Sequence, residues 1–534
     1  MLKQITAGVA ALAIVGAGAI ASNAADTTPV YMETVATGAT LKVLATAGDK
    51  IGNYYLPGVP DGLGVVPTSS GFKILMNHEV SPVGALENLK RAGGNVSGGA
   101  TVSGLNFNTT TQSVTSAAEF LKSATFFNYS SNKYTKYATA PDYAAIADAY
   151  GVKNHTNALN RFCSSSYSPA GTFSAKVNGK TVGYTGGIYL TGEEGSNESR
   201  GFAINTSGDL VQLPRLGLAA WETFNNVPTG NATTALLGGE DGAAIDSQLW
   251  MYVGKKTNVG TWYQKAGLTN GSNYVLKVAD AATDTDFRKV HGKGKVVEAT
   301  FTSVNWKDNG EIQNFQAKSA GTGFTRIEDG VFDKKNPNIF YFNTTESNKD
   351  AKATSLNPDD STVLKRDGGA LWKLTFKDVK NPLKGATIEM LLDGSEAPYL
   401  NKPDAIEMDS AGNLLIQEDP GNNEQLARVV AYNLTTKKLA VIARFKSEYF
   451  SPTGAKKMTI DEESSGIVEV TKYMRKSSSD TKHYYLLDAQ IHTTTVLARP
   501  DITDAEAKKE LDKLAEGGQL YLLTIDDWSK VEFK

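Results

Sequence analysis

One cysteine, Cys163, stands in a chain of 534 residues. A lone thiol excludes an internal disulfide framework and any zinc site built from several cysteines. Histidine is scarce too: five are scattered along the chain, with no His-Glu-x-x-His pattern to hold a metal on one helical face. The formal net charge is only −3, which leaves no basic excess for nucleic acid. Beyond the N-terminal run no apolar segment is long enough to span a bilayer. No Gly-x-Ser-x-Gly elbow is present. Ser410, in "MDSAGNL" at 408–414, lies between two apolar runs and reads as a hairpin turn rather than a nucleophile. The glycine-rich stretch 91–100 lacks the Lys-Ser/Thr of a phosphate loop. Helical periodicity is confined to short stretches at 115–122, 142–150 and 503–515.

What remains is strand sequence. Runs such as "FKILMNHE", "GGIYLTGEE", "SQLWMYVGKK", "NIFYFNTTES" and "GQLYLLTIDDW" are rich in Val, Ile, Tyr, Phe and Thr and are broken by Gly, Asn and Asp. Without an alternating helix pattern a doubly wound fold is excluded. The expected fold is all-β: a roughly six-bladed β-propeller, with an irregular, partly helical insertion at 80–185 on its N-terminal side. The last strand run, "QLYLLTID", is expected to close the ring with an N-terminal strand, because closure hides sheet edges. At the N-terminus, Lys3, an apolar run to Ile20 and small residues at Ser22 and Ala24 read as a cleaved export signal over 1–25. The mature chain, 26–534, is then one propeller domain, periplasmic or secreted, with no membrane attachment after cleavage.

Acidic pairs recur at what look like strand ends. They are Glu193-Glu194 in "LTGEEGS", Glu240-Asp241 in "LLGGEDGAAID", Glu328-Asp329 in "TRIEDGV" and Glu418-Asp419 in "LIQEDPG". From Glu194 to Asp241 is 47 residues, from Asp241 to Asp329 is 88, and from Asp329 to Asp419 is 90. A unit near 45 residues, sometimes doubled, is a propeller-blade length. Equivalent positions of different blades face one axis, so repeated carboxylates there would need protons or cations between them. Many hard oxygen donors suit calcium. Glu79, in "NHE" at 77–79, and Asp404, in "KPDAIEMD", offer further oxygens. Cys163 reads either as a metal ligand or as a buried apolar residue.

These stretches resemble the exported propeller phosphatases of the PhoX type. The likeness is carried by "NHE" (77–79), "YLTGEEG" (189–195), "TRIEDGVFD" (325–333) and, most specifically, "KPDAIEMDSAGNLLIQED" (402–419). It implies a six-bladed propeller that hydrolyses small phosphate monoesters with Ca2+ and a pair of Fe3+ ions, through a metal-activated oxygen nucleophile. It also implies Glu194, Glu328 and Glu418 as leading metal ligands, followed by Glu193, Asp329, Asp404 and Asp419. Glu79 joins the set from "NHE", and Glu240 and Asp241 join it from the repeat. Arg326 resembles the family arginine that holds substrate phosphate, and with Glu328 it forms the expected catalytic pair. Three departures mark this chain. Gly192 stands where the family has a cysteine associated with iron, Trp221-Glu222 replaces a frequent His-Glu, and the export signal has no twin arginine. Two other functions fit the same residues: a non-catalytic calcium-binding propeller, and a calcium-dependent esterase or lactonase.

Overall fold

The computed structural model describes residues 28–81, 99–137, 159–243, 246–346, 368–421, 426–477 and 479–534. The expected export signal and the helix expected over 142–150 lie outside these residues. Among the described residues six antiparallel meanders of four strands can be traced, the second extended by Ser123–Asn128, which pairs parallel with Asp209–Gln212, and the fifth by Met32–Thr34. Their innermost strands are Pro60–Pro67, Phe162–Ser168, Trp221–Asn226, Ile327–Phe332, Pro403–Met408 and Glu462–Glu469. These six touch in that cyclic order, the last packing against the first. The fold is mostly β and propeller-like.

Apolar residues explain the arrangement. Each meander buries both faces against its two neighbours. Ile74 and Met76 of the first meander pack with Leu486 and Leu522 of the sixth, while Leu75 packs with Phe162 and Tyr189 of the second. The same division recurs around the ring. Burial on both faces is why the second strands read as near-continuous apolar runs rather than alternating ones.

Val296–Val304 pairs with both Ser272–Val278 and Ala386–Asp393, which joins the third and fourth meanders at their outer edges into one nine-stranded sheet. Glu516–Ile525 pairs antiparallel with Ala39–Thr46 near the N-terminus, so the sixth meander is completed from the two ends of the chain. That covers the edge which a linear chain would otherwise expose.

Two local expectations change. Residues 115–122 are not a helix: Ser113–Glu119 is the outer strand of the first meander, paired with Thr101–Asn108. A short segment rich in Ser and Thr takes the conformation its partner strand offers. Nor is 80–185 an irregular cap where it is described. Thr101–Asn108 belongs to the first meander and Phe162–Ser168 is an innermost strand of the second. The helix expected over 503–515 is present as Ala505–Leu511, with the Asp504 side chain accepting from the Ala507 N–H.

Candidate metal centre

A single backbone device is repeated at one end of all six inner strands. The first residue of each pairs with the second strand: Pro60 with His78, Phe162 with Glu193, Trp221 with Glu240, Ile327 with Thr344, Pro403 with Glu418, Glu462 with Ile491. In the first five the register slips immediately afterwards, and in the sixth it slips after Ser464. A slip of this kind re-aims a side chain out of the ladder. The second residue of each strand is Asp61, Cys163, Glu222, Glu328, Asp404 and Glu463: five carboxylates and the single thiol.

A second ring lies beside the first. The residues just past the pairs on the second strands are Glu79, Glu194, Asp241, Thr345, Asp419 and His492. Each donates its backbone N–H, at 2.9–3.0 Å, to the carbonyl before the inner strand, respectively Val59, Arg161, Ala220, Arg326, Lys402 and Asp461. Of those six, Val59, Arg161, Arg326 and Lys402 have left-handed φ, between 38° and 61°. For residues with a Cβ this conformation costs about 1–2 kcal/mol each. Its recurrence at one position puts Arg161, Arg326 and Lys402 beside the two rings.

Together the rings enclose a cavity of about 180 Å³. Its walls carry Glu79, Glu194, Glu222, Asp241, Glu328, Asp404, Asp419, Asp461 and Glu463, with Cys163, Arg161, Arg326 and His492. Three groups bring ligand atoms within 4.8 Å of one another: Asp61–Cys163–Glu222, Glu79–Cys163–Glu194 and Glu222–Asp241–Glu328. Cys163 and Glu222 are each shared by two groups, so the three are contiguous.

Two arginines partly offset this charge. Arg326 grips Asp241 with a two-pronged contact, both N–O distances 2.6 Å, and lies 3.8 Å from Glu328. Arg161 reaches Glu194 at 3.0 Å through Nε and also contacts Glu79. The remaining acids are left facing one another. Burial, reinforced by the neighbouring carboxylates, pushes Asp61, Glu222 and Asp404 well above the usual range. Glu79 and Glu328 rise by burial despite their arginines. Asp241 is raised to about 6 and Asp419 to about 7, burial being the main cause. Burial also raises the Cys163 thiol, with Asp61 and Glu222 adding to it. Glu463 is the exception: burial raises it, but hydrogen bonds from His492 and Ser465 hold it low. A cluster of this kind is stable with protons on several members or with cations among them. The donors fit cations of two kinds, since carboxylate oxygens suit hard ions and a thiolate suits softer ones.

The cavity gathers Glu79, Glu194, Asp241, Glu328, Asp404, Asp419 and Arg326 of the expected residues. Glu193, Glu240 and Glu418 do not line it. Strand alternation turns each away from its neighbour, and each is held elsewhere. Glu193 takes Arg200 at 2.7 and 2.6 Å and the Asn160 N–H at 3.0 Å. Glu418 takes Arg428 at 2.8 and 2.7 Å and the Asn401 N–H at 2.8 Å. Glu240 accepts from Trp250 Nε1 at 2.7 Å and from the Gln248 N–H at 2.9 Å. Each of these three acidic pairs therefore contributes one residue to the cavity and one to the scaffold. Asp329 faces a separate cavity of about 590 Å³, lined by later residues of the same inner strands, and accepts from the Gly330 N–H at 2.7 Å.

The apparent period also changes. Glu328-Asp329 heads an inner strand, whereas the other three pairs end second strands. The intervals of 88 and 90 residues thus join positions that are not equivalent. Asp61, Glu222, Glu463, Asp461, Arg161 and His492 were not expected at the site. A signal for two of the inner-strand positions was present: "PDGLG" at 60–64 and "PDAIE" at 403–407 share Pro-Asp.

Gly192 occupies a packing position. A Cβ there would lie 2.3 Å from Trp221 Cβ on the neighbouring inner strand. The absence of a cysteine at 192 therefore removes no donor from the cavity, where Cys163 supplies the thiol.

No family model matches the chain, and no curated protein matches it by sequence. Among solved structures it is similar to Pseudomonas fluorescens PhoX in complex with vanadate, with a TM-score of 0.57 and 12% identity over 93% of this chain and 96% of that one. It also matches a luciferin-regenerating enzyme, with a TM-score of 0.33 and 9% identity over 93% of this chain and 97% of that one. At such identities the first likeness is one of fold.

Proposed function

We propose that this chain is an exported, metal-dependent phosphomonoesterase on a six-bladed propeller, acting on small phosphorylated substrates in the periplasm or outside the cell. The blade number is supported by six inner strands in cyclic contact and by the six-fold repeat of the same backbone hydrogen bond. The observation that carries the activity is the placement of Arg326. Its guanidinium lies at the edge of the Glu222–Asp241–Glu328 group and keeps 28% of its side-chain surface exposed. A planar fork beside a cation-accepting triad suits a phosphate dianion, one face to the fork and the other to positive charge.

Glu222, Asp241 and Glu328 would hold one cation, and Cys163 with Glu79, Glu194 and Asp61 would hold others. Ca2+ suits the oxygen sets, and Fe3+ is the expected ion near the thiol. When bound, such ions supply Lewis acidity and a water of lowered pKa. The chain's own part is to orient the phosphate through Arg326 and to keep the acids in place through the paired scaffold residues. His492 lines the cavity between Glu463 and Glu516. Burial lowers its pKa, but Glu463 and Glu516 raise it further.

Turnover of p-nitrophenyl phosphate by the purified chain, with calcium and iron added or chelated, tests the proposal. Metal-dependent hydrolysis that is lost in Arg326→Ala supports it, and no turnover in any metal state refutes it. The competing reading is a cation-binding propeller without catalysis. The two-pronged Arg326–Asp241 contact favours that reading, because it occupies the fork.

A further inference from the structure

We infer that the cavity of about 590 Å³ at the other end of the propeller axis is a binding site for a neutral saccharide. Among the described residues it shares no lining with the acid-lined cavity. All six inner strands contribute to it, through residues further along each strand. Its volume falls in the range of small-ligand sites, about 300–1,000 Å³.

The walls on this face are of unequal height. The first meander turns through residues 68–70 alone. The second runs through 169–187 and folds into an extra hairpin, Ser174–Val177 with Lys180–Gly183. The sixth carries the helical turn Thr471–Met474 after its inner strand. The two long connections stand on either side of the short one. Tyr167, just before the one, and Tyr473, within the other, line the cavity there, and both are half-buried. Tyr473 packs on Phe72 of the first meander, ring centroids 5.6 Å apart. Tyr167 packs against Gly64, where an added Cβ would lie 3.0 Å from its own. The two hydroxyls are close enough that Tyr473 adds to the rise in the pKa of Tyr167, which burial mainly causes. Two aromatic rings thus border one space from the two sides of the first meander.

Much of the remaining lining is uncharged hydrogen-bonding surface. Ser165, Ser166 and Ser168 come from the second inner strand, and Asn225 and Asn226 from the third. Every inner strand is also the end of its sheet. One side of its backbone bonds to the second strand and the other faces the axis, where fixed N–H and C=O groups need partners. The charged residues are matched within the protein. Lys334 Nζ lies 2.7 Å from Glu407 and 2.8 Å from Glu469, whose other oxygen accepts from Ser410 Oγ at 2.7 Å. Lys472 rests over the Tyr473 ring, 4.8 Å from its centre. Gly330 and Ile406 donate backbone N–H groups to Asp329, and the side chains of Thr223 and Asn225 bond to it as well.

This combination suits a pyranose. Such a ring carries C–H bonds on its faces, which match aromatic rings, and hydroxyls around its rim, each of which donates and accepts. An anion would meet three carboxylates against two lysines. A cation would have to displace the donors on Asp329. An apolar ligand would strip water from serines and asparagines without replacing it. An extended peptide could pair with one strand edge and would leave the others unused.

The inference goes beyond the phosphatase reading, and its test reads no turnover. Isothermal titration of the full chain in calcium, with maltotriose, cellotriose, mannotriose and diacetylchitobiose as probes and tri-alanine as the peptide control, should show binding of at least one sugar. Tyr473→Ala and Asn226→Ala should each weaken it by at least about tenfold. Should Tyr473→Ala fail to fold, Asn226→Ala decides. Crystals soaked in the sugar that binds should show it between Tyr167 and Tyr473. Failure of every sugar to bind overturns the inference, as does binding by tri-alanine alone. So does an affinity unchanged in a folded variant, or sugar found only in the acid-lined cavity. A chain that lacks phosphatase activity can still pass each test.

Discussion

Glu418 and Asp419 are adjacent acids that the fold puts to opposite uses, and neutralising them should have opposite effects. Asp419 lines the cavity with its pKa raised from 3.8 to about 7, chiefly by burial and by Glu463. A rise of that size is worth on the order of 4 kcal/mol at about 1.4 kcal/mol per unit. Because the folded value lies above the unfolded one, the unfolded chain binds fewer protons between them. Stability therefore falls as pH rises from 3.8 to about 7. Above that window the full penalty applies, and Asp419→Asn removes it. In EDTA at pH 8 this variant should melt above the parent, with a gain of about 2–4 kcal/mol, the upper figure being reached only if the asparagine amide finds partners. With saturating calcium it should lose part of the parent's gain, since a ligand has gone. Glu418→Gln acts on the scaffold instead. It removes the charge and one prong of the contact with Arg428, whose side chain is 6% exposed and which keeps the Tyr399 carbonyl at 3.1 Å. Breaking a buried pair costs about 3–5 kcal/mol, and here the cost should appear with or without metal. Thermal unfolding of both variants in EDTA and in calcium checks the pair. If Asp419→Asn in EDTA is destabilised as much as Glu418→Gln, the division into cavity and scaffold acids is wrong.

The parent chain in EDTA should gain stability between pH 8 and pH 5.5, because Asp61, Glu79, Glu222, Glu328 and Asp404 are all raised and take up protons on folding. In saturating calcium the slope should reverse, since protons then compete with the ion; thermal melts across that range read both signs. Arg326→Lys should lower turnover of p-nitrophenyl phosphate by about 100-fold while leaving the metal count of the purified protein unchanged, because a lysine cannot make the two-pronged contact. Gly192→Cys should add no sulfur ligand: it should leave iron uptake as it was and cost about 1–3 kcal/mol in stability through its clash with Trp221. Cys163→Ser, by contrast, should lower iron uptake and spare most calcium binding.

Much of the strand content was legible because strands buried on both faces leave long apolar runs, as "IYLTGE" and "NLLIQE" do. The closing pair was legible for the same reason. The half of each acidic pair that faces the axis was not. It depends on the register slip after Phe162, Trp221 and Pro403, and such slips leave no mark in composition. The Pro-Asp heads at 60–61 and 403–404 were the one readable trace, and they lie on strands whose partners come later in the chain. The inner strands begin at 60, 162, 221, 327, 403 and 462, intervals too uneven for a fixed period to find. Cys163 was ambiguous for a physical reason: a lone buried cysteine is ordinary core, and only Asp61, Glu79, Glu194 and Glu222 around it make it a donor. Ser113–Glu119 was misread because its partner strand, not its own sequence, decides its conformation.

The central claim is that the two rings of acids exist to hold cations. Metal analysis by inductively coupled plasma mass spectrometry, on protein purified without chelators and then dialysed against calcium and iron, tests it most directly. At least three tightly held ions per chain are expected, one for each contiguous donor group, with less iron in Cys163→Ser. A chain that retains no metal, and whose Tm is the same in EDTA and in calcium, would contradict it.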